Sequence, residues 1–228
     1  MDQNNFIGEL IRSDFNEKQW KEIELGVDAG LDIAIYAHSY YHHAQMRELR
    51  LGLEQGIDIS IYSDRFLHSK DMFLIRKCIE HGFEVRYFLN KDFSYKQREQ
   101  IFLGMISGVD YKVYAKEIYN EWKMKEVRLG LDKGYDLVPY LNTHNHNQMH
   151  QIRMGMENKV DYKIYHDVRF KQAQMSEILA GLINGLDVSV YADYRLSIEV
   201  MRTRRALLEK ESLKFSNERR IINYDDIR

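Results

Sequence analysis

Few residues of this sequence are of a type and spacing that could do chemistry, and the histidines of THNHNQMH (143–150) come first. His146 and His150 are four residues apart, a spacing that can bind Zn²⁺ or Ni²⁺ from one face of a helix, and His144 lies beside them. Neither a cysteine nor a second carboxylate cluster accompanies them in the sequence. We therefore interpret this segment, and SYYHHAQ (39–45) with His42 and His43, as solvated loops, and we expect no metal site.

Signatures of an enzyme are missing from the sequence. It contains no G-x-x-x-x-G-K-[ST], no G-x-G-x-x-G opening a helix and no H-E-x-x-H. Cys78 is the single cysteine, and it occupies a column of small residues described below, which favours a buried structural thiol over a nucleophile. We predict that the protein is not an enzyme and uses no cofactor.

The sequence contains an internal repeat with a period of about 26 residues, and this repeat must position any functional residues of the chain. Segments 22–37 (EIELGVDAGLDIAIYA), 48–63 (ELRLGLEQGIDISIYS) and 177–192 (EILAGLINGLDVSVYA) share one pattern. Four columns recur in seven successive repeats, and one step between repeats is a residue shorter than the others. The first column holds small residues, at Gly26, Gly52, Cys78, Gly104, Gly130, Gly155 and Gly181, and the second holds Gly30, Gly56, Gly82, Gly108, Gly134, Lys159 and Gly185. The third column is acidic (Asp32, Asp58, Glu84, Asp110, Asp136, Asp161, Asp187) and the fourth aromatic (Tyr36, Tyr62, Phe88, Tyr114, Tyr140, Tyr165, Tyr191).

Each repeat is predicted to form a long helix followed by a short one. Capping-box patterns start the long helix at Asn16 with Gln19, Ser94 with Gln97, and Asn145 with Gln148. The second glycine fits the left-handed residue after a helix, and the acidic residue fits the N-cap of the short helix. The mid-helix first glycine costs about 1 kcal/mol against alanine, so we expect a neighbouring helix to cross there. The aromatic column is interpreted as core packing.

The predicted fold class is therefore all-α: an α-solenoid of seven two-helix repeats of about 26 residues with partial capping repeats. The alternative is an α/β leucine-rich-repeat-like horseshoe, in which IAIYA and VSVYA would be strands. Pro139 argues against that alternative, because it would remove a hydrogen-bond donor from a central strand. In the first turn of a short helix its missing N–H is harmless.

We expect a single repeat domain over 1–228. Residues 1–14 are predicted to be an N-terminal cap, 15–193 the seven repeats, 194–212 a C-terminal cap and 213–228 a loosely ordered tail. The motif gives way to charged residues in the C-terminal cap, as a polar end requires.

Composition narrows location and partners. The net charge of −2 comes from 33 basic and 35 acidic residues, so no global field draws nucleic acid to the chain. No apolar run reaches the roughly 20 residues that span a bilayer, and the N-terminus lacks a signal-peptide pattern. A lone cysteine and these features favour a cytoplasmic location. We expect no membrane partner, and the oligomeric state stays open.

One column differs between the repeats. Two places after the acidic residue, the outer repeats carry Ala34, Ser60 and Ser189. The inner repeats carry Arg86, Lys112, Val138 and Lys163, so three of the four have a long basic side chain. We define this basic line as the candidate binding site, formed by Arg86, Tyr87, Tyr111, Lys112, Lys116, Tyr162 and Lys163. We expect a non-enzymatic protein-binding solenoid, with a nucleic-acid or nucleotide binder through the basic and aromatic line as the alternative.

The motif Q-M-x-E-[IL]-R-x-G-L-x-x-G-x-D-x-S-x-Y-A, clearest in residues 45–63 and 174–192, resembles that of tandem-repeat proteins of gut Firmicutes and their phages or mobile elements. The resemblance covers residues 15–191. It implies a helical repeat protein acting in phage–host conflict, for example as an inhibitor of a host defence protein. It supplies no catalytic residues, and Cys78 and Lys159 depart from its glycine columns.

Overall fold

The computed structural model describes residues 12–225, which divide into two compact units at Gly108 and Val109. Each unit is built from long α-helices joined by short helical turns. The first unit contains α1 (Glu17–Asp28), α2 (His43–Glu54), α3 (Ser69–Glu80) and α4 (Tyr95–Ser107). The second unit contains α5 (Glu121–Asp132), α6 (His146–Glu157), α7 (Gln172–Ile183) and α8 (Ile198–Asp225). The prediction of one domain over 1–228 stays a prediction.

The chain is an all-α protein with α-solenoid architecture. In each unit every long helix packs against the next one in sequence. A short helix follows each of α1 to α7, at Ile33–Ile35, Ile59–Ile61, Arg86–Leu89, Tyr111–Val113, Val138–Tyr140, Tyr162–Ile164 and Val188–Val190. Residues 12–225 contain no strand, so the horseshoe alternative is wrong, and Pro139 lies in the first turn of its short helix as expected.

At Gly26, Gly52, Gly155 and Gly181 the missing side chain makes room for the tyrosine ring of the same repeat, whereas at Gly130 it makes room for Leu137. A Cβ atom on Gly26 would lie 1.8 Å from the Tyr36 hydroxyl. That hydroxyl donates a hydrogen bond of 2.9 Å to the carbonyl of Glu22, one helical turn before the glycine. The atoms that crowd the glycine thus come from its own repeat, which corrects our expectation of a crossing helix. In the third repeat the ring is Phe88, which has no hydroxyl, and there the small residue is Cys78.

A buried glutamine joins successive repeats. Gln45 accepts a hydrogen bond of 2.8 Å from the main-chain N–H of His42, and its amide donates to the carbonyls of Arg65 at 2.9 Å and Leu67 at 2.7 Å. The same three bonds recur at Gln19, Gln148 and Gln174. The three predicted capping boxes are confirmed. Their glutamines at Gln19 and Gln148 do more than cap, because they also fix the loop that precedes the next long helix.

Ion pairs that are buried or half-buried form a second link between neighbouring long helices. They join Glu22 to Arg50 and Glu48 to Arg76 in the first unit, and Glu126 to Arg153 and Glu177 to Arg205 in the second, each at 2.8 Å. Within each unit, a step that lacks the acid also lacks the arginine: the corresponding residues are Leu74 with Phe102, and Gln151 with Leu179. This joint replacement follows from the cost of a buried charge without a partner.

The acidic column caps short helices, as predicted, in four repeats. The carboxylates of the N-cap residues Asp32, Asp58, Asp161 and Asp187 accept a hydrogen bond from the N–H two residues later. Asp136 accepts the Val138 N–H at 2.9 Å, but the N-cap of that short helix is Leu137. Glu84 does not cap a helix and pairs with Arg86 instead.

The aromatic column is buried core at six of its seven positions, namely Tyr36, Tyr62, Phe88, Tyr114, Tyr165 and Tyr191. The prediction is wrong at Tyr140, in the repeat that is followed by the shorter step. The short helix of that repeat begins two residues after Asp136 instead of one, which turns Tyr140 to a half-buried position and buries Leu141.

The predicted caps differ in outcome. Residues 1–11 lie outside the described residues, and Arg12–Asp14 form one turn of 3₁₀ helix. At the other end α8 continues through most of the predicted tail, to Asp225. Leu207 and Glu211 stand where the two glycines of the repeat would be, so this helix has neither the gap for a ring nor the left-handed residue that ends the others.

Candidate functional site

The basic line lies on and beside the short helices, and its members fall in both units. In the first unit Arg86 is exposed and Tyr87 is half-buried. The Arg86 guanidinium lies 2.9 Å from the Glu84 carboxylate, donates to the Tyr87 hydroxyl at 3.0 Å and stacks 4.8 Å from the Tyr87 ring centroid. Its charge is therefore already compensated within its own repeat.

In the second unit the remaining members belong to two repeats. Lys112, Lys116 and Lys163 are exposed, while Tyr111 and Tyr162 are half-buried beside them. The ammonium group of Lys112 lies 6.0 Å from the Tyr111 ring centroid, and that of Lys116 lies 6.0 Å from the Tyr119 ring centroid. These two lysines rest on aromatic rings of the protein and keep their charged ends in solvent.

Carboxylates interrupt the basic line. The exposed residues Asp110 and Asp161 come two places before Lys112 and Lys163, and Asp161 accepts a hydrogen bond of 3.1 Å from the Lys163 N–H. Because these carboxylates alternate with the lysines, the short helices of the second unit do not present a continuous positive surface to a phosphate backbone.

Each unit carries a short apolar row that we did not predict, on two consecutive short helices. Three places after the acidic cap, the side chains are aliphatic and substantially exposed: Ile35 by 42% and Ile61 by 40% in the first unit, Ile164 by 38% and Val190 by 47% in the second. The alternating pattern of IAIYA and ISIYS contained the signal. Its first isoleucine is buried, whereas its second, the row member, is the exposed one.

The histidine-rich segment differs from the solvated loop that we expected. His144 is buried, its Nε2 lies 2.6 Å from the His166 carbonyl oxygen, and burial lowers the pKa of the His144 imidazole. His146 begins α6 and stacks on Trp122 with ring centroids 5.9 Å apart. His42 is the N-cap of α2.

The described side chains offer little for metal or nucleophilic chemistry. Among them no group of three or more His, Cys, Asp or Glu residues is placed to hold a metal ion. Cys78 is fully buried, and burial raises the pKa of its thiol to about 12, so the thiol is protonated at neutral pH.

These features define the class: a helical repeat protein in which recurring polar residues hold the repeats together. Comparison of the chain with protein-family models, with curated proteins and with solved structures found no match. Within residues 12–225, no helix has both the length and the apolar character needed to cross a membrane.

Proposed function

We propose that this chain is a non-enzymatic protein-binding solenoid whose short helices carry the contact surface. The observation that carries the proposal is the apolar row of each unit, Ile35 with Ile61 and Ile164 with Val190, exposed by 38–47% at one position of the repeat. Exposed aliphatic side chains that recur in register are typical of surfaces that bind other proteins.

The polar residues of the repeat motif support the same proposal, because their side chains are already used inside the fold. The glutamines, the Glu–Arg pairs and the aspartate caps already have partners inside the fold. What each unit offers to another molecule is therefore its apolar row with the flanking basic line. Aliphatic contacts framed by mixed charges suit a protein surface.

Nucleic-acid or nucleotide binding remains the second candidate, because Lys112, Lys116 and Lys163 are exposed at the short helices of the second unit. The alternating carboxylates of Asp110 and Asp161 make it the weaker one. The two candidates differ in salt dependence, since affinity for a phosphate backbone falls steeply with salt and affinity of an apolar protein contact does not.

The resemblance to repeat proteins of Firmicutes, phages and mobile elements adds the biological setting of the proposal. In that setting the partner is a host defence protein that this chain inhibits, and the encounter takes place in the cytoplasm. A partner from the defence machinery of the native host would support this part of the proposal.

The test is affinity capture with the full chain from the native host, recovering both protein and nucleic acid. The affinity of the purified partner is then measured for the wild type and for a variant with Ile35→Ser and Ile61→Ser, both in the first unit. Complete burial of an isoleucine is worth about 1.5–3 kcal/mol, so covering two half-exposed ones gives about 2 kcal/mol, or more than a tenfold change.

A variant at an exposed polar residue of the long helices, Glu24→Gln, is the control for general effects. Unchanged affinity of the double variant at equal stability would remove the apolar row of the first unit from the binding surface. Recovery of nucleic acid alone, with steep salt dependence, would favour the second candidate.

A further inference from the structure

A cleft in the first unit lies where the loop before α3 faces the start of α2. It has a volume of about 360 Å³, and its lining includes His42, Arg65, Phe66 and His68. The Phe66 ring is 82% exposed. We call this feature the aromatic cleft.

Arg65 is held between two aromatic rings at the edge of the cleft. Its guanidinium carbon lies 4.6 Å from the Phe66 ring centroid and 5.7 Å from that of Tyr40. The Tyr40 ring, 52% exposed, is itself stacked on His38 at 4.9 Å. Within residues 12–214 Arg65 forms no ion pair with a carboxylate, so its fork of N–H donors faces solvent.

Hydrogen bonds fix the loop that lines the cleft. Gln45 belongs to the lining and its amide donates to the carbonyls of Arg65 and Leu67, and the Asp64 carboxylate accepts the Phe66 N–H at 2.9 Å. His68 is the N-cap of α3, its Nδ1 accepting the Lys70 N–H at 3.1 Å. The neutral ring therefore carries its proton on Nε2, where it can donate a hydrogen bond.

At the same loop position in the second unit, the side chain is bonded to other residues of the protein. There Arg169 takes the place of Phe66, two residues after Asp167. Arg169 pairs with the Asp167 carboxylate and donates to the Tyr194 hydroxyl at 2.7 Å while its guanidinium stacks on the Tyr194 ring at 4.1 Å. In the first unit the arginine is one residue earlier and the aromatic ring occupies the outer position. Both groups are consequently available to another molecule.

We propose that the aromatic cleft binds a peptide segment of a protein partner in which a carboxylate stands next to an apolar side chain. The carboxylate accepts two hydrogen bonds from the Arg65 fork, and the apolar side chain covers Phe66 and Tyr40. The proposal rests on the proposed function and names the chemistry of the partner. A carboxylate is favoured over a phosphate because Arg65 is the one permanent cation in the described lining, and the Asp64 carboxylate lies next to it in the chain.

The experiment is a selection of a random peptide library against the immobilised full chain. Individual peptides are then measured against wild type, Arg65→Gln, Phe66→Ser and the matched control Arg169→Gln. All three residues are exposed, so the variants should keep the wild-type denaturation midpoint. We expect peptides with Asp or Glu beside an aromatic or aliphatic residue. Their affinity should fall at least tenfold in Arg65→Gln and in Phe66→Ser and should not change in Arg169→Gln.

Charge reversal provides a positive test. Arg65→Glu should lose the selected peptides and should bind versions in which the acidic residue is replaced by lysine. Selected peptides that bind Arg65→Gln and Phe66→Ser as tightly as wild type would overturn this site and leave the proposed function standing. Failure to select any peptide would also overturn it, while capture of a protein partner from the native host would still test the function separately. Binding of a phosphopeptide or an oligonucleotide that depends on Arg65, without binding of its carboxylate counterpart, would assign the cleft to phosphate instead.

Discussion

We expect the Gly26→Ala substitution to destabilise the protein, because it places a side chain against the buried Tyr36 ring. The new Cβ would lie 1.8 Å from the Tyr36 hydroxyl oxygen, which is far inside van der Waals contact, so the ring has to move. Movement strains a fully buried side chain, at about 1–3 kcal/mol, and weakens the hydrogen bond to the Glu22 carbonyl, at about 1 kcal/mol. Alanine returns about 1 kcal/mol in helix propensity. We therefore expect a net loss of about 1–3 kcal/mol in the free energy of unfolding.

The decisive measurement is a double-mutant cycle with Tyr36→Phe. Removal of the hydroxyl leaves the ring carbon at 3.0 Å and Ile33 Cγ2 at 3.1 Å from the new Cβ, distances that small shifts can relieve. The pair Gly26→Ala with Tyr36→Phe should be within about 1 kcal/mol of Tyr36→Phe alone, which gives a coupling free energy of about 1–3 kcal/mol. Urea denaturation of the four proteins supplies all the values.

The third repeat offers the reverse experiment in the same chain. Phe88→Tyr introduces a hydroxyl against the Cys78 side chain and should destabilise the protein, and Cys78→Gly should restore part of the loss. Additivity of the two substitutions at Gly26 and Tyr36 to within about 0.5 kcal/mol, the range found for sites that do not interact, would mean that the hydroxyl is not what excludes a side chain from the glycine column. Our explanation of that column would then be wrong.

Two further predictions concern charge. Arg76→Met leaves the largely buried Glu48 carboxylate, whose side chain is 12% exposed, without its partner and should cost about 3–5 kcal/mol. Glu48→Leu together with Arg76→Phe copies the apolar pair at the next step of the same unit and should recover most of that loss in urea denaturation. Equal costs for both variants would contradict the pairing. Burial raises the pKa of the Tyr191 hydroxyl to about 12 and that of the Tyr41 hydroxyl to about 12. Their neutral forms therefore stabilise the fold below pH 10, and this contribution is lost as the pH rises from about 10 to about 12. A denaturation midpoint that stays constant over that pH range would contradict this prediction.

Local signals in the sequence were sufficient for the helix ends. The capping box of Asn16 and Gln19 and the cap of Asp58 on the Ser60 N–H each join residues within one turn, so both follow from spacing alone. The positive φ of Gly56, 67°, likewise follows from its place after the last turn of a helix. Together with the repeat period, these signals predict the elements and their order.

Contacts between residues far apart in the sequence could not be predicted from such local patterns. The Tyr36 hydroxyl meets the long helix that precedes it, and the glycine column alone does not distinguish a ring of the same repeat from a neighbouring helix. Arg50 and Glu22 belong to successive long helices, so their pairing depends on how those helices pack. At Tyr140 the sequence alignment was correct and the conformation was not, because the short helix of that repeat is shifted by one residue.

The candidate site likewise combines a feature that the sequence predicts with features that only the structure shows. Comparison among repeats found the basic line, but only side-chain geometry shows that Arg86 is paired with Glu84. The apolar row was hidden because a half-exposed isoleucine in the sequence looks the same as a buried one. Exposure decides between them, and exposure depends on the packing of the whole repeat.

Residues at equivalent positions of the repeats differ in two ways, and the distinction bears on where function lies. Cys78 departs together with Phe88, and Leu74 departs together with Phe102, so each change is matched by a second that keeps the packing or the charge balanced. Such matched departures are what stability alone requires. Phe66 lies at a position where the repeats share no residue type, since its equivalents are Tyr40, Asp92, Ile118, Arg169 and Arg195. Its ring is 82% exposed. Packing of the repeat does not dictate the residue at this position, and the exposed ring lies beside Arg65, which makes the aromatic cleft a stronger place to search for a partner than Arg86, which is already paired with Glu84.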